Sequence, residues 1–524
     1  MKFPKLLRFL NKDPVIALLA GAFCVFGFAP FGIFPVPVIA LAALFVLWLR
    51  ADSRRAAARL GFMFGLGLFS TGISWIYIAL HDYGDMAMLL AAPATLLFAA
   101  FLALFTAFAG YLQARIPTSI MLRTVLVMPA IWVLIEWLRG MIFTGFPWLT
   151  FGYAHSGSPL AGYAPLIGVY GVSLIAAVCA GLIALLVRAV SPAIFVGPED
   201  AKEISSSGIY RAYGLRTNAV LIALAILISL WVGGAILRVV TWTQPQGEPI
   251  SVALVQGNIP QELKFNGDAL VNTLETYRRL AQKSRARLIV LPETAFPMLR
   301  SEVPPFLIEL LRNHARQNGG DMLIGSFVRN NGSYYNSVFS TGTAKEQHYH
   351  KHHLVIFGEF IPLRPIFGWL INEVLDIPMG DLGRGDAVQA PLEVAGQRIA
   401  VDICYEDVFG EEIIRSMPQA TMLVNFTNDA WYGESHAAAQ HNQIAQFRAM
   451  ETGRMMLRAT NTGVTSIIDR DGKVLELLPQ HQEGVLEGMA QGYQGLTPYA
   501  RWGNAAVMLL LFVMLAYTWV RRGK

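Results

Sequence analysis

The chain has 524 residues, 54% of them hydrophobic and 15% charged, with a formal net charge of +5. Soluble domains carry roughly 25% charged residues, so a wholly soluble protein is excluded. Its basic residues flank apolar runs and carry no nucleic-acid reading.

Up to about residue 240 the chain is a series of apolar stretches, each near the roughly 20 residues that cross a bilayer as a helix. They fall near residues 14–30, 32–49, 60–80, 87–111, 122–138, 160–187 and 218–240, and a last one, 505–520, closes the chain. Eight crossings leave both termini on one side, and the basic residues choose which. Lys2, Lys5, Arg8 and Lys12 precede the first span, Arg50, Arg54, Arg55 and Arg59 follow the second, and Arg115 and Arg123 follow the fourth. Arg188, Lys202, Arg211 and Arg216 follow the sixth, and Arg521, Arg522 and Lys524 end the chain. The alternate connections are nearly free of them, Arg139 being the exception. The pattern predicts a multi-span α-helical membrane domain of eight helices with cytoplasmic termini. The first span has the basic start of a signal peptide, but more spans follow it directly and it is expected to be retained.

Three regions follow: 1–243 with seven membrane helices, 244–500 as a globular domain facing outward, and 501–524 with the final helix and a cytoplasmic tail. In the globular region, β-branched runs alternate with amphipathic patterns, which reads as a layered α/β fold. Strands are expected over 251–256, 287–291, 321–327, 337–341, 399–404, 421–425 and 463–469, and helices over 268–283, 304–318 and 435–453. The run from Pro365 through Trp369 to Met379 is too apolar for a solvent loop. It is either a core piece or a lipid-facing arm.

Cys24 and Cys179 lie in apolar runs, whereas Cys404 ends a strand and precedes the acidic Glu406. With a single cysteine the globular region forms no internal disulfide, and a thiol at a strand's carboxyl end is where α/β enzymes place a nucleophile. Such a thiol needs a base and an electrostatic partner for the oxyanion formed on carbonyl attack. Glu293 in Leu291-Pro292-Glu293 and Lys351 in His350-Lys351-His352 supply them, with the Tyr405 N–H as a further donor. Read singly, each is a core thiol, a cap and a solvated lysine. His348, His350, His352 and His353 crowd around Lys351, but no cysteine or carboxylate pattern completes a metal site.

Taken together, Leu291-Pro292-Glu293, Lys351 with Phe357-Gly358-Glu359-Phe360, and Asp402-Ile403-Cys404-Tyr405-Glu406 resemble the carbon-nitrogen hydrolase (nitrilase) superfamily. Asn425-Phe426-Thr427-Asn428-Asp429-Ala430-Trp431-Tyr432-Gly433 and Arg458-Ala459-Thr460-Asn461-Thr462-Gly463 extend the match. A nitrilase-like domain between a seventh and an eighth span is similar to the apolipoprotein N-acyltransferase family of the bacterial inner membrane. Trp137-Leu138-Arg139-Gly140 and Thr144-Gly145-Phe146-Pro147-Trp148 look like that family too. The resemblance implies an αββα sandwich domain in the periplasm, a Glu293–Lys351–Cys404 triad and an acyl thioester on Cys404. It also implies a phospholipid donor, a diacylglyceryl apolipoprotein acceptor and no cofactor. Glu359 then orients Lys351 by charge pairing, ahead of a direct part in proton transfer. Glu406 positions the amine, tunes the thiol, or is a solvated strand-end carboxylate, and Tyr405 lines the acyl site or packs. Trp148 and Tyr153, read in an outward loop, sit at headgroup level or guide the lipid, and Trp369 and Trp431 are further candidate lipid contacts. The other readings are a membrane-tethered amidase or nitrilase hydrolysing C–N bonds, and a transporter or scaffold with an inert domain.

Overall fold

The computed structural model describes residues 12–191, 217–264, 267–330, 332–356, 358–361 and 382–521. The chain divides into two compact units: Met1–Ser74, Ala92–Val240 and Asn504–Lys524 in one, Trp75–Ala91 and Thr241–Gly503 in the other.

The first unit is helical, because its apolar runs satisfy their backbone groups internally and offer side chains to one another or to lipid. Four helices are long and apolar enough to cross a bilayer: Met88–Gln113, Ile120–Arg139, Pro159–Val190 and Asn218–Leu237. A fifth is added if Arg54–Gly72 and Trp75–His81 count as one broken span, and Pro35–Arg50 and Ala505–Val520 are shorter apolar helices. The continuous span expected over 60–80 is therefore not present. Ile73 leaves helical geometry, the Ser74 hydroxyl bonds back to the Thr71 carbonyl, and Trp75–His81 belongs to the second unit. Small residues set the packing of the first helices. A Cβ on Gly21 would lie 1.9 Å from the Phe64 carbonyl oxygen, and one on Gly67 2.0 Å from that of Leu18, the close backbone approach that glycine permits within a membrane.

The second unit is built on two six-stranded sheets. Its strands are β1 (Gln244–Pro245), β2 (Ile250–Gln256), β3 (Leu288–Leu299), β4 (Asp321–Asn330), β5 (Ser333–Gly342), β6 (His348–His350) and β7 (Leu392–Val394). They continue as β8 (Gln397–Ile403), β9 (Met422–Thr427), β10 (Met456–Thr460), β11 (Thr465–Ile468), β12 (Val474–Leu478), β13 (Gly484–Ala490) and β14 (Tyr493–Gln494). One sheet runs β13-β2-β3-β4-β5-β6, the other β12-β11-β10-β9-β8-β7, and β1 pairs with β14. The central pairs β2–β3–β4 and β8–β9–β10 are parallel.

Strand alternation explains the layers. Ala253, Val255, Ile289 and Leu291 pack with Tyr277 and Leu280 of the helix Gly267–Lys283 and with Leu307 and Leu311 of the helix Pro305–Gln317. On the other sheet, Ala400, Leu423 and Met456 pack with Ala445 and Ala449 of the helix Ala437–Thr452. Between the sheets, Thr460 and Thr465 donate hydroxyls to the Gln256 amide oxygen. This gives an αββα order of layers.

Candidate active site

Glu293 lies inside β3, where the parallel register with β4 shifts between Leu291 and Phe296. Such a bulge re-aims a side chain, and Thr294 within it takes a positive φ of 45°. Gly325 on β4 permits the bulge, since a Cβ there would stand 2.3 Å from the Pro292 carbonyl oxygen and 2.8 Å from Glu293 Cα. The Glu293 carboxylate accepts from Asn336 Nδ2 at 2.7 Å.

Lys351 follows β6 directly, and its backbone is tied on both sides: its N–H donates to the Asn336 carbonyl, and its carbonyl accepts from Gly385 N–H. The side chain is buried, with Nζ 2.9 Å from Glu359 Oε1 and 3.7 Å from Glu293 Oε1. Burial alone would lower its pKa, but the two carboxylates overcome this and hold the ammonium above the usual lysine range. Glu359 is fixed in turn by Val355 N–H on its other oxygen.

Cys404 is the first residue after β8, at the start of the turn Cys404–Val408. Its φ of 54° is left-handed, a conformation rare outside glycine and concentrated at functional sites. Burial and the Glu293 charge push the thiol up, while Lys351 pulls it down. A second buried ammonium bears on the same sulfur: Lys264 donates to the Glu293 carbonyl at 3.0 Å. Burial lowers its pKa to about 8 against the charges of Glu293 and Cys404.

Glu406 is buried, which corrects the solvated strand-end reading. Its two oxygens accept from the N–H groups of Ile403, His352 and His353 and from the Tyr349 hydroxyl. It ties the end of β8 to the loop that carries Lys351. Burial pushes its pKa up to about 7 against those backbone donors.

Two family profiles match the chain: the apolipoprotein N-acyltransferase N-terminal domain over residues 20–182 and carbon-nitrogen hydrolase over residues 251–492. Apolipoprotein N-acyltransferases of Nitrosomonas europaea, Chromobacterium violaceum and Ralstonia nicotianae are 47%, 43% and 43% identical to it. These alignments cover 96%, 97% and 98% of this chain and 96%, 94% and 94% of the relatives. The chain belongs to the apolipoprotein N-acyltransferase family. Membership places it among membrane-embedded N-acyltransferases of the carbon-nitrogen hydrolase superfamily.

Within this acyltransferase fold the remaining expected residues separate. Tyr405 is buried and packs edge-on against Phe409. Trp148 and Tyr153 are each 1% exposed, so neither ring presents the outward face that an aromatic belt uses. The Trp148 carbonyl accepts from the Arg139 guanidinium at 2.7 Å, and hydropathy does not distinguish a buried loop from an interfacial one. Glu136, an acid near the end of the helix Ile120–Arg139, is also buried and accepts from Phe151 N–H. Trp431 is 41% exposed and meets Tyr83, while its neighbour Tyr432 meets Trp75 edge-on at 4.6 Å. Trp369 and the apolar run around it lie outside the described residues. The histidines near Lys351 go separate ways: His350 to Ser337, His352 to the Gly385 carbonyl, His353 to Glu412. Among the described residues no cluster of three or more His, Cys, Asp or Glu is arranged to hold a metal.

Lys264, Asn336 and His441 were not found from sequence. Each is a polar residue inside the fold, and one chain gives no sign of that.

Proposed function

We propose that the protein transfers a fatty acyl chain from a membrane phospholipid to the N-terminal α-amine of an S-diacylglyceryl-cysteine apolipoprotein, through a thioester on Cys404. The observation that carries this reading is the strained Cys404 at the end of β8, its sulfur under the charges of Glu293 and Lys351, in a chain whose relatives are apolipoprotein N-acyltransferases.

In the first half-reaction, Glu293 takes the thiol proton as sulfur attacks an ester carbonyl of the phospholipid. The ammonium of Lys351, with Lys264 behind it, stabilises the oxyanion. Collapse breaks the ester C–O bond, and Glu293 returns the proton to the departing lysophospholipid oxygen. In the second, the neutral α-amine attacks the thioester, loses a proton to Glu293 and expels the Cys404 thiolate, which is reprotonated. The order is ping-pong, and Glu359 serves to hold Lys351.

The same reading assigns eight membrane crossings, domains at 1–243, 244–500 and 501–524, and a catalytic domain on the periplasmic face of the bacterial inner membrane. Its support is the alternation of basic connections. Hydrolysis of C–N bonds by a membrane-tethered amidase is the less favoured outcome, because the family match runs through the membrane helices as well.

Mass spectrometry of the purified protein incubated with phospholipid tests the mechanism. A hydroxylamine-labile acyl mass is expected on the peptide containing Cys404, with chase by a diacylglyceryl peptide giving an amide. Absence of the adduct, or release only as free fatty acid, sinks the reading.

A further inference from the structure

Behind the nucleophile lies a charge cluster that the acyl-transfer steps do not use. His441, on the helix Ala437–Thr452, is fully buried. Its Nδ1 is 2.9 Å from Asp429 Oδ1, and its Nε2 is 2.9 Å from Asp407 Oδ1 and 3.3 Å from the carbonyl oxygen of Cys404. Carboxylate and carbonyl oxygens accept hydrogen bonds, so both ring nitrogens must donate, which only the imidazolium does.

Arg458 closes the cluster. Its guanidinium is 2.8 Å from Asp429 Oδ2, 3.4 Å from Asp407 Oδ2 and 2.7 Å from the Asn425 amide oxygen. Two cations thus face the carboxylates of Asp407 and Asp429 in a buried interior, where an unmatched charge costs several kcal/mol. A third buried carboxyl, Asp402, also accepts from Asn425, and burial and Asp407 hold it well above the usual carboxylate range. Each partner comes from a different element: Asp407 from the turn after β8, Asp429 from the turn after β9, Arg458 from β10. Through His441 and Asn425 the cluster reaches the backbone of Cys404, whose left-handed φ needs outside support. The Cys404 carbonyl is held by Asn425 Nδ2 at 3.2 Å and by His441 Nε2.

We propose that His441 is a permanent imidazolium and the positioning residue of the nucleophile, its Nε2–H clamping the Cys404 carbonyl so that the left-handed backbone aims the sulfur. The electrostatics agree: burial and Arg458 oppose the charge, but Asp407 and Asp429 outweigh them and lift the imidazole to about 9. Asp429, raised by burial but lowered more by Arg458 and His441, sits near 2. The inference rests on the acyl-enzyme reading of Cys404 only for its catalytic consequence.

The test uses the full-length protein in detergent, labelled with 15N-histidine. The resonance missing from His441→Gln should show both ring nitrogens protonated from about pH 6 to about pH 8, and a neutral tautomer there overturns the proposal. Alkylation of Cys404 by iodoacetamide and single-turnover thioester formation from phospholipid should both slow by about 100-fold in His441→Gln, the scale of an ångström-sized misplacement. Unchanged rates in a folded variant also overturn it. His441→Gln combined with Asp429→Asn restores charge balance and donor–acceptor matching. It should recover most of the lost rate, and it serves for assignment if the single variant does not fold. Failure of the double variant to recover any of that rate counts against the clamp. If the wild type is alkylated normally yet forms no thioester, the acyl-transfer reading fails while the clamp on Cys404 stands.

Discussion

Lys351 shows what a buried cation requires. Its ammonium is held between Glu359 at 2.9 Å and Glu293 at 3.7 Å, so losing the nearer carboxylate leaves the ammonium paired with the other alone. Glu359→Gln is therefore expected to cost about 1–3 kcal/mol of stability through the lost charge-assisted hydrogen bond and to slow acyl transfer, because Lys351 is then drawn wholly to Glu293, the proposed base. Thermal unfolding alongside initial rates checks it, and a variant with native melting temperature and native rate would refute the assignment. Lys264 carries the opposite sign. Its pKa falls to about 8 in the fold but stays near 10.4 when unfolded, so between those values the unfolded chain binds more protons and stability rises with pH. The penalty is fully present below about pH 8 and amounts to roughly 3 kcal/mol. Lys264→Met should raise the melting temperature most at pH 6, and its advantage should shrink by pH 10. Its catalytic rate should fall most below about pH 8, where Lys264 is charged, and the deficit should narrow by pH 10.

At the scale of elements, the bulge in β3 is the piece that turns a buried strand into a site. A methyl at Gly325 would press on the Pro292 carbonyl and the Glu293 backbone. Gly325→Ala is thus expected to reduce acyl transfer by about 100-fold while costing only about 1–3 kcal/mol through overpacking. A rate within threefold of wild type would show that the bulge does not set the Glu293 position. The core of β3 is legible because Leu288–Leu291 is an apolar run, but its continuation to Leu299 is not, since a register shift leaves no compositional mark. Strand β10 was missed for a related reason: Arg458 and Thr460 look solvent-facing, although both are fully buried and serve the Asp407–Asp429 cluster and Gln256. The short motifs around Glu293, Lys351 and Cys404 were readable because their chemistry is local. The groups that hold them, Asn336, Glu406 and His441, act across 43, 54 and 37 positions of sequence, and only the fold reveals such pairs.

Across the described residues, hydropathy located the four helices long enough to cross a bilayer but not which of them meets lipid. It averages over a window, so the break after Gly72 was invisible, and it ranks Thr217–Leu237 beside Pro159–Val190 although they live in different surroundings. In the apolar stretch of the first 11% of the residues are buried, and in that of the second 78%. Lipid tails are as apolar as leucine, so side-chain size is nearly free on an exposed face and tightly limited inside the bundle. Ile228 is 60% exposed and Ala177 fully buried. Ile228→Phe should leave folding and melting temperature unchanged, whereas Ala177→Phe should cost about 1–3 kcal/mol or more. Ile228→Arg, placed near the centre of its helix, should lower insertion by about 3 kcal/mol. Membrane-fraction yield and thermal unfolding of the three variants separate the cases. Equal damage from both phenylalanines would mean that the Thr217–Leu237 face is covered by protein rather than by lipid.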